Sequence, residues 1–485
     1  MKLSLEDFLE KKDQFQLGNL TTEKFHPETI GLKELANKDP KSALKKLKSV
    51  DLQALKKYQN LKYKLSTLKQ KISSHKGRIF LVGCGATGRI VLHIEKYARM
   101  KGMGNVFSLM AGGDAALIKS IELVEDFELL GKKHLEEFNP TKDDLVIGVT
   151  EGGETSYVIG AVNAGIEFCK NDPFILYCND DDELIKTCER SKKFINDKKI
   201  NNISLNIGPM ALAGSTRMQA STILHLALGE CLFNESIESL ISTLKKFDEK
   251  KLIGLLYLEK DLFLKNKSCV YKTHQNFGLT VLTDTTERSP TFGLDPFENL
   301  NNDSPTESFN HLEIEGIKEN KLAWIALLTR DPRELIWPEL KNRSTLPTIN
   351  GFKIYDGQAK RRKKEFQYFN IKKLEASIEL NLTEESVEID CKGLNYFDQC
   401  MLLKIILNMY STCLMGMLNR YESNVMSWVR SSNYKLIDRT IRYAKLILSQ
   451  QGVNPAYDEL AKIVFELEVN QEESVVEKVV SRFEA

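Results

Sequence analysis

At 485 residues the chain is longer than one ordinary core can use, so two or more domains are expected. Its 42% hydrophobic and 28% charged residues are a globular balance, and a net charge of +1 without a basic, aromatic-laced stripe argues against a nucleic-acid partner. Scattered cysteines with no C-x-x-C, histidines with no H-x-x-x-H and a charged N-terminus without a signal core predict a cytoplasmic chain with reduced thiols and no metal site.

Residues 1–72 read as helices with polar joints, with leucines from Leu44 to Leu68 recurring mostly at three- and four-residue steps. The pattern then changes. RIFLVGC is a strand that ends in glycine, and IVLHIEKYARM is a helix. NVFSLMAGGD is a second strand and turn, with AALIKSIELVEDFELLGKKHLEEF expected as helix. DLVIGVTEGGE, PFILYCND and ISLNIGP are further strands, with SYVIGAVNAGIEFCK and STRMQASTILHLALGECLF as helices. This alternation argues for a parallel sheet covered on both faces. A second unit opens near residue 255 with the strand SCVYKT. LAWIALLTR, FKIYDG and ASIELNL are its further candidate strands, and a long helix is expected around Tyr396 to Tyr421. LAWIALL is the longest apolar run and is too short to cross a bilayer, so no membrane contact is expected. AKRRKKEF reads as a solvated charge run, and the last thirty-odd residues as a short helical appendage.

Gly83, Gly85 and Gly88 form a Gly-x-Gly-x-x-Gly turn between strand and helix, the signature of a phosphate held at a helix N-terminus. A dinucleotide would need an acidic residue about 20 positions on, at the end of the second strand. Asp114 comes too late and sits in a Gly-Gly-Asp turn, where it reads as a helix cap. Three strand ends carry hydroxyls and glycines before a helix: GCGATGR with Thr87, GVTEGGETS with Thr150, Thr155 and Ser156, and AGSTRMQAST with Ser215 and Thr216. In a doubly wound sheet such ends share one edge, which favours a small phosphorylated ligand over a dinucleotide.

These segments carry a resemblance. LTTEKFHPETIGL, GCGATGR, AGGDAALIKSIELVED, GVTEGGETSYVIGA, GPMALAGSTRMQAST and NVMSWVRSSNYKLIDR are similar to the sugar-isomerase (SIS) domains of the N-acetylmuramic acid 6-phosphate etherases and glucokinase regulatory proteins. The resemblance implies an α/β fold of two tandem SIS domains, each a doubly wound parallel sheet with helices on both faces. Expected boundaries are 1–72 for N-terminal helices, 73–250 and 251–450 for the two domains, and 451–485 for the appendage. It also implies two catalytic glutamates. Glu125 matches one, in ELVED; Tyr97 stands where the other is expected, with Glu95 two residues away. DTTERSPTFG reproduces the missing segment in the second half and puts Glu287 in that role, beyond a glycine loop degraded to THQNFG.

The implied arrangement is an internal pseudo-dimer in which one half keeps the phosphate loops and the other delivers Glu287. Gly85, Ala86, Thr87, Thr150, Glu151, Gly152, Ser215 and Thr216 are the expected ligand-binding residues, joined by Lys435 and Arg439 at i and i+4 of one helix. No cofactor is implied. The implied chemistry is removal of D-lactate from C3 of an open-chain amino sugar phosphate. The alternatives are a non-catalytic sugar-phosphate sensor with a sugar kinase as partner, or a sugar-phosphate isomerase. Gly152 stands where the etherases carry serine and Glu154 where they carry arginine; Met210 and Gln219 replace a glutamate and a lysine usual in both groups.

Overall fold

The computed structural model describes residues 4–14, 17–121, 124–302, 305–429, 433–467 and 473–483. Glu122 and Leu123 of the ELVED segment, and residues 430–432 of the C-terminal motif, lie outside them. The first half is built on five parallel strands, β1 (Ile79–Gly83), β2 (Val106–Met110), β3 (Leu145–Val149), β4 (Phe174–Tyr177) and β5 (Asn201–Ser204), in the order β2-β1-β3-β4-β5. Every residue of β1 and β3 is buried, as continuous apolar runs require when both faces are covered. The chain reverses direction across the sheet between β1 and β3. In open α/β sheets, ligands bind at the carboxyl ends of strands at such a switch point.

The second half repeats the central three-strand order. β6 (Ser268–Thr273) lies between β7 (Asn310–Ile314) and β8 (Phe366–Lys373), all parallel, as β1 lies between β2 and β3. Beyond β8 it departs from the expected all-parallel sheet. β9 (Ser377–Leu382) and β10 (Glu385–Asp390) continue it as an antiparallel meander. Their burial alternates residue by residue, the mark of strands with one wet face, whereas a parallel strand between helices is buried on both.

Four other expectations change. LAWIALL is a helix, Asn320–Leu328, closed by Thr329 in the left-handed region at φ 58°. A short apolar run fits a buried helix as well as a strand, and Trp324 decides for the helix by burying its ring and donating Nε1–H to the Phe352 carbonyl at 3.2 Å. FKIYDG contributes only a single bridge, Tyr355 to Ile314. The expected long helix after AGGD divides into short turns at Asp114–Leu117 and Val124–Asp126, and a regular helix starts only at Glu128. Gly112 and Gly113 both have positive φ, and Asp114 is held by Arg330 at 2.5 Å and by the Arg333 backbone N–H at 2.7 Å. These ties draw residues 114–121 away from a helical path. In the charge run, the Arg362 side chain is only 3% exposed and pairs with Glu298 at 2.5 Å rather than facing solvent.

The helix Tyr396–Met417 joins the halves. It is long and apolar enough to cross a bilayer, which LAWIALL did not suggest because Asp398 and Lys404 interrupt the run, and it is buried throughout its apolar window. The terminal helices pack together as well: Phe8 sits among Tyr434, Tyr457 and Phe465, with ring centroids 6.0, 6.4 and 5.8 Å away.

Candidate functional site

A cavity of about 400 Å³ opens at the carboxyl ends of β1 and β3. The first half lines it with Gly85 and Ala86 after β1, Glu151 and Thr155 after β3, and the turn Gly214 to Arg217. The non-helical stretch Ile118 to Ile121 and Glu125 form another wall. The second half closes it with Thr286, Glu287 and Ser289 to Thr291, and the helix Tyr434–Gln450 adds Lys435 and Arg439.

The glycine turn works through close approach. A Cβ on Gly83 would stand 2.5 Å from the carbonyl carbon and oxygen of Thr87 and 2.7 Å from the Gly88 nitrogen, all backbone atoms that cannot swing aside. Only glycine therefore lets the helix Gly85–Met100 start directly off β1, with its first turn facing the cavity. Gly83→Ala is expected to lower stability by about 1–3 kcal/mol, as overpacking does, and to weaken phosphate binding; denaturation midpoints and calorimetry measure both.

Not every expected ligand group reaches the cavity. The Thr87 hydroxyl is engaged with the Cys84 backbone, accepting from its N–H at 3.0 Å and donating to its carbonyl at 2.9 Å, which makes it a cap. Thr150 bonds the Thr155 hydroxyl at 2.9 Å and the Gly153 N–H at 3.3 Å. Gly152 directs its carbonyl to Asn179 at 2.8 Å. None of these three lines the cavity. Ser215 and Thr216 do, and the buried Ser215 hydroxyl has no hydrogen-bond partner among the described residues. Met210 and Gln219 also lie outside the cavity wall; Gln219 bridges the Ala211 N–H and Asp51 in the core.

Glu125 and Glu287 meet in this cavity from the two halves. Asn433 donates Nδ2–H to Glu125 at 2.8 Å, and the Cys84 thiol lies 3.5 Å from its other oxygen. Glu287 pairs with Arg89, which is buried on the glycine-turn helix and also donates to the Leu117 carbonyl at 3.0 and 3.1 Å. One guanidinium thus ties together the glycine-turn helix, the 114–121 turn and the carboxylate of the opposite half. Sequence reasoning had assigned Arg89 and Asn433 no role, although both stand inside quoted motifs, in GCGATGR and SSNYKLIDR.

Lys435 and Arg439 are each matched by a carboxylate. Lys435 binds Glu154 at 2.6 Å, and Arg190 reaches the other Glu154 oxygen at 3.1 Å. Burial pushes the Glu154 carboxyl up, but these two cations outweigh it and hold it below the usual carboxylate range. Arg439 binds Glu23 at 2.6 Å, and Arg442 lies 3.3 Å from the same carboxylate. Burial would raise Glu23, yet the two guanidiniums bring it down to about 2. Lys435 and Arg439 therefore shape the wall with their charges already matched. Glu151 differs: it is buried, its Oε1 has no partner among the described residues, and burial pushes it up to about 7.

Lys96 of the first half reaches the degraded turn of the second, donating Nζ–H to the Gln275 carbonyl at 3.0 Å. Glu95 faces away from the cavity, bound to Arg333 at 2.5 Å and Arg330 at 3.2 Å.

Residues 61–166 match the model of the glucokinase regulatory protein N-terminal SIS domain. The chain is 34% identical to the N-acetylmuramic acid 6-phosphate etherase of Petrotoga mobilis over 221 residues, 44% of this chain and 68% of that protein. It is 30% identical to the etherase of Clostridium acetobutylicum over 261 residues, 52% of this chain and 77% of that one. Among solved structures, the C-terminal domain of glucosamine-fructose-6-phosphate aminotransferase from Francisella tularensis aligns with a TM-score of 0.37 and 10% identity, covering 76% of this chain and 96% of that chain.

Proposed function

The chain belongs to the N-acetylmuramic acid 6-phosphate etherase family, and from that premise we propose that it is a carbon–oxygen lyase that cleaves the D-lactyl ether of an amino sugar 6-phosphate. The observation that carries this reading is the joint presence of Glu125 and Glu287 in one cavity beside the first turn of the Gly85 helix. The helix start, Ser215 and Thr216 take the phosphate, where backbone amides and hydroxyls meet a positive helix end. Lys435 and Arg439, each matched by a carboxylate, orient the sugar from the rim.

In the open-chain sugar the C2 proton lies beside the C1 aldehyde. One carboxylate of the pair removes it, the C3–O bond breaks, and the departing lactate oxygen takes a proton from the other. Water then adds across C2 and C3, with hydroxyl at C3 and hydrogen at C2, so atoms and charge balance. Two carboxyl groups on opposite walls suit this division of labour. The two halves read as an internal pseudo-dimer, an interpretation supported by the shared three-strand order and by the reach of Lys96 to the degraded turn.

A second reading has its own support in the match of residues 61–166 to a regulatory-protein domain: a sugar-phosphate sensor whose partner is a sugar kinase. Incubating the full chain with N-acetylmuramic acid 6-phosphate and assaying D-lactate separates the two. Release of D-lactate supports the lyase. Tight calorimetric binding of the sugar phosphate with no release supports the sensor.

A further inference from the structure

The cavity holds a third carboxyl group besides the pair. Glu151 lies at the carboxyl end of β3, at the switch point, and lines the same wall as Gly85 and Thr155. It is only 9% exposed, and its Oε1 meets no hydrogen-bond partner among the described residues. Its backbone is fixed, because the Glu151 carbonyl accepts the Cys178 N–H at 2.9 Å. Glu125 receives Asn433 on one oxygen and the Cys84 thiol on the other, and Glu287 receives Arg89, whereas the buried Oε1 of Glu151 receives no donor among the described residues.

A buried carboxyl with a free oxygen has one strong use in proton abstraction beside a carbonyl. Removing the C2 proton drives negative charge onto the C1 oxygen, and a neutral acid that donates to that oxygen stabilises the enolate without repelling it. Resting on the lyase reading above, we propose that Glu151 is the oxyanion donor of this site: its carboxyl O–H hydrogen-bonds the C1 oxygen of the open-chain sugar as the C2 proton leaves. Glu125 and Glu287 keep the proton transfers at C2 and at the leaving oxygen.

The surroundings keep Glu151 able to hold its proton near neutral pH. Burial is the main cause, and Glu287 on the helix Gly278–Phe292 adds to it. Its own backbone N–H, Lys435 from the helix Tyr434–Gln450 and Lys404 from the helix Tyr396–Met417 pull the other way. The Cys178 and Cys84 thiols beside it are themselves pushed up by burial and stay uncharged. The net position is about 7, so the donor is present below that pH and lost above it.

The test uses the full chain with N-acetylmuramic acid 6-phosphate, following D-lactate release and exchange of the C2 proton in heavy water. Wild-type kcat is expected to fall as pH rises through about 7. Glu151→Ala should lower kcat and C2 exchange about 10²–10³-fold, as loss of one oxyanion donor does, with KM changed far less. Glu151→Gln, which keeps an N–H donor and cannot titrate, should recover part of that loss and lack the alkaline fall. Activity of Glu151→Ala within threefold of wild type, or an unchanged alkaline fall in Glu151→Gln, overturns the proposal while leaving the lyase reading intact. A wild-type chain that neither releases lactate nor exchanges the C2 proton overturns both.

Discussion

Glu287→Gln is expected to reduce D-lactate release by about 10²–10⁴-fold, the range for a lost general acid or base, and Glu125→Gln by a similar factor. The first substitution carries more information. Glu287 sits in the second half, 198 residues from Arg89, and reaches the cavity only because the two halves pack face to face. Its partner Arg89 lies on the same helix that begins at the glycine turn. An amide at this position keeps an acceptor for the guanidinium but cannot take or give the proton, so folding and phosphate binding should persist while turnover is lost. Kinetics with N-acetylmuramic acid 6-phosphate, paired with calorimetric phosphate binding, check this directly. If turnover in Glu287→Gln stays within threefold of wild type, the cross-half carboxylate has no catalytic part.

The second large effect concerns stability. Arg288, next to Glu287, is fully buried and binds Glu259 and Asp284 at 2.9 Å each and the Tyr271 hydroxyl at 2.7 Å. Asp284 in turn holds Arg217 of the first half at 3.0 Å. Burial pushes the Asp284 carboxyl up, but Arg288 and Arg217 bring it below its usual range, so it is charged in the core. Arg288→Met would leave Glu259 and Asp284 buried against too little positive charge. Breaking one side of such a network costs about 3–5 kcal/mol. Urea denaturation followed by circular dichroism should show that loss, and adding Glu259→Gln should return part of it. A loss below about 1 kcal/mol would mean that water relieves the stranded carboxylates.

The site's framework was legible in the sequence because it rests on local rules. The Gly-x-Gly-x-x-Gly turn, the hydroxyl-bearing strand ends and the ten-residue family match around Glu287 are each contiguous in sequence. Contacts between distant segments were not. Lys435 and Glu154 neutralise each other across 281 positions, so Glu154 serves as the counter-ion of a cation on another helix. The path of residues 114–121 was misread because its apolar residues have helical spacing, while Asp114 is pinned by Arg330 from the other half. Thr87 looked like a ligand, yet its local cap competed successfully for the hydroxyl.

The shared cleft is tested most directly by a crystal structure of the full-length Glu287→Gln variant with N-acetylmuramic acid 6-phosphate bound. The account predicts the phosphate at the first turn of the Gly85 helix near Ser215 and Thr216, with the C2–C3 bond between Glu125 and residue 287, each within hydrogen-bond reach of about 3.2 Å. A sugar bound with its phosphate there but with residue 287 out of reach, or bound on another surface, would contradict it.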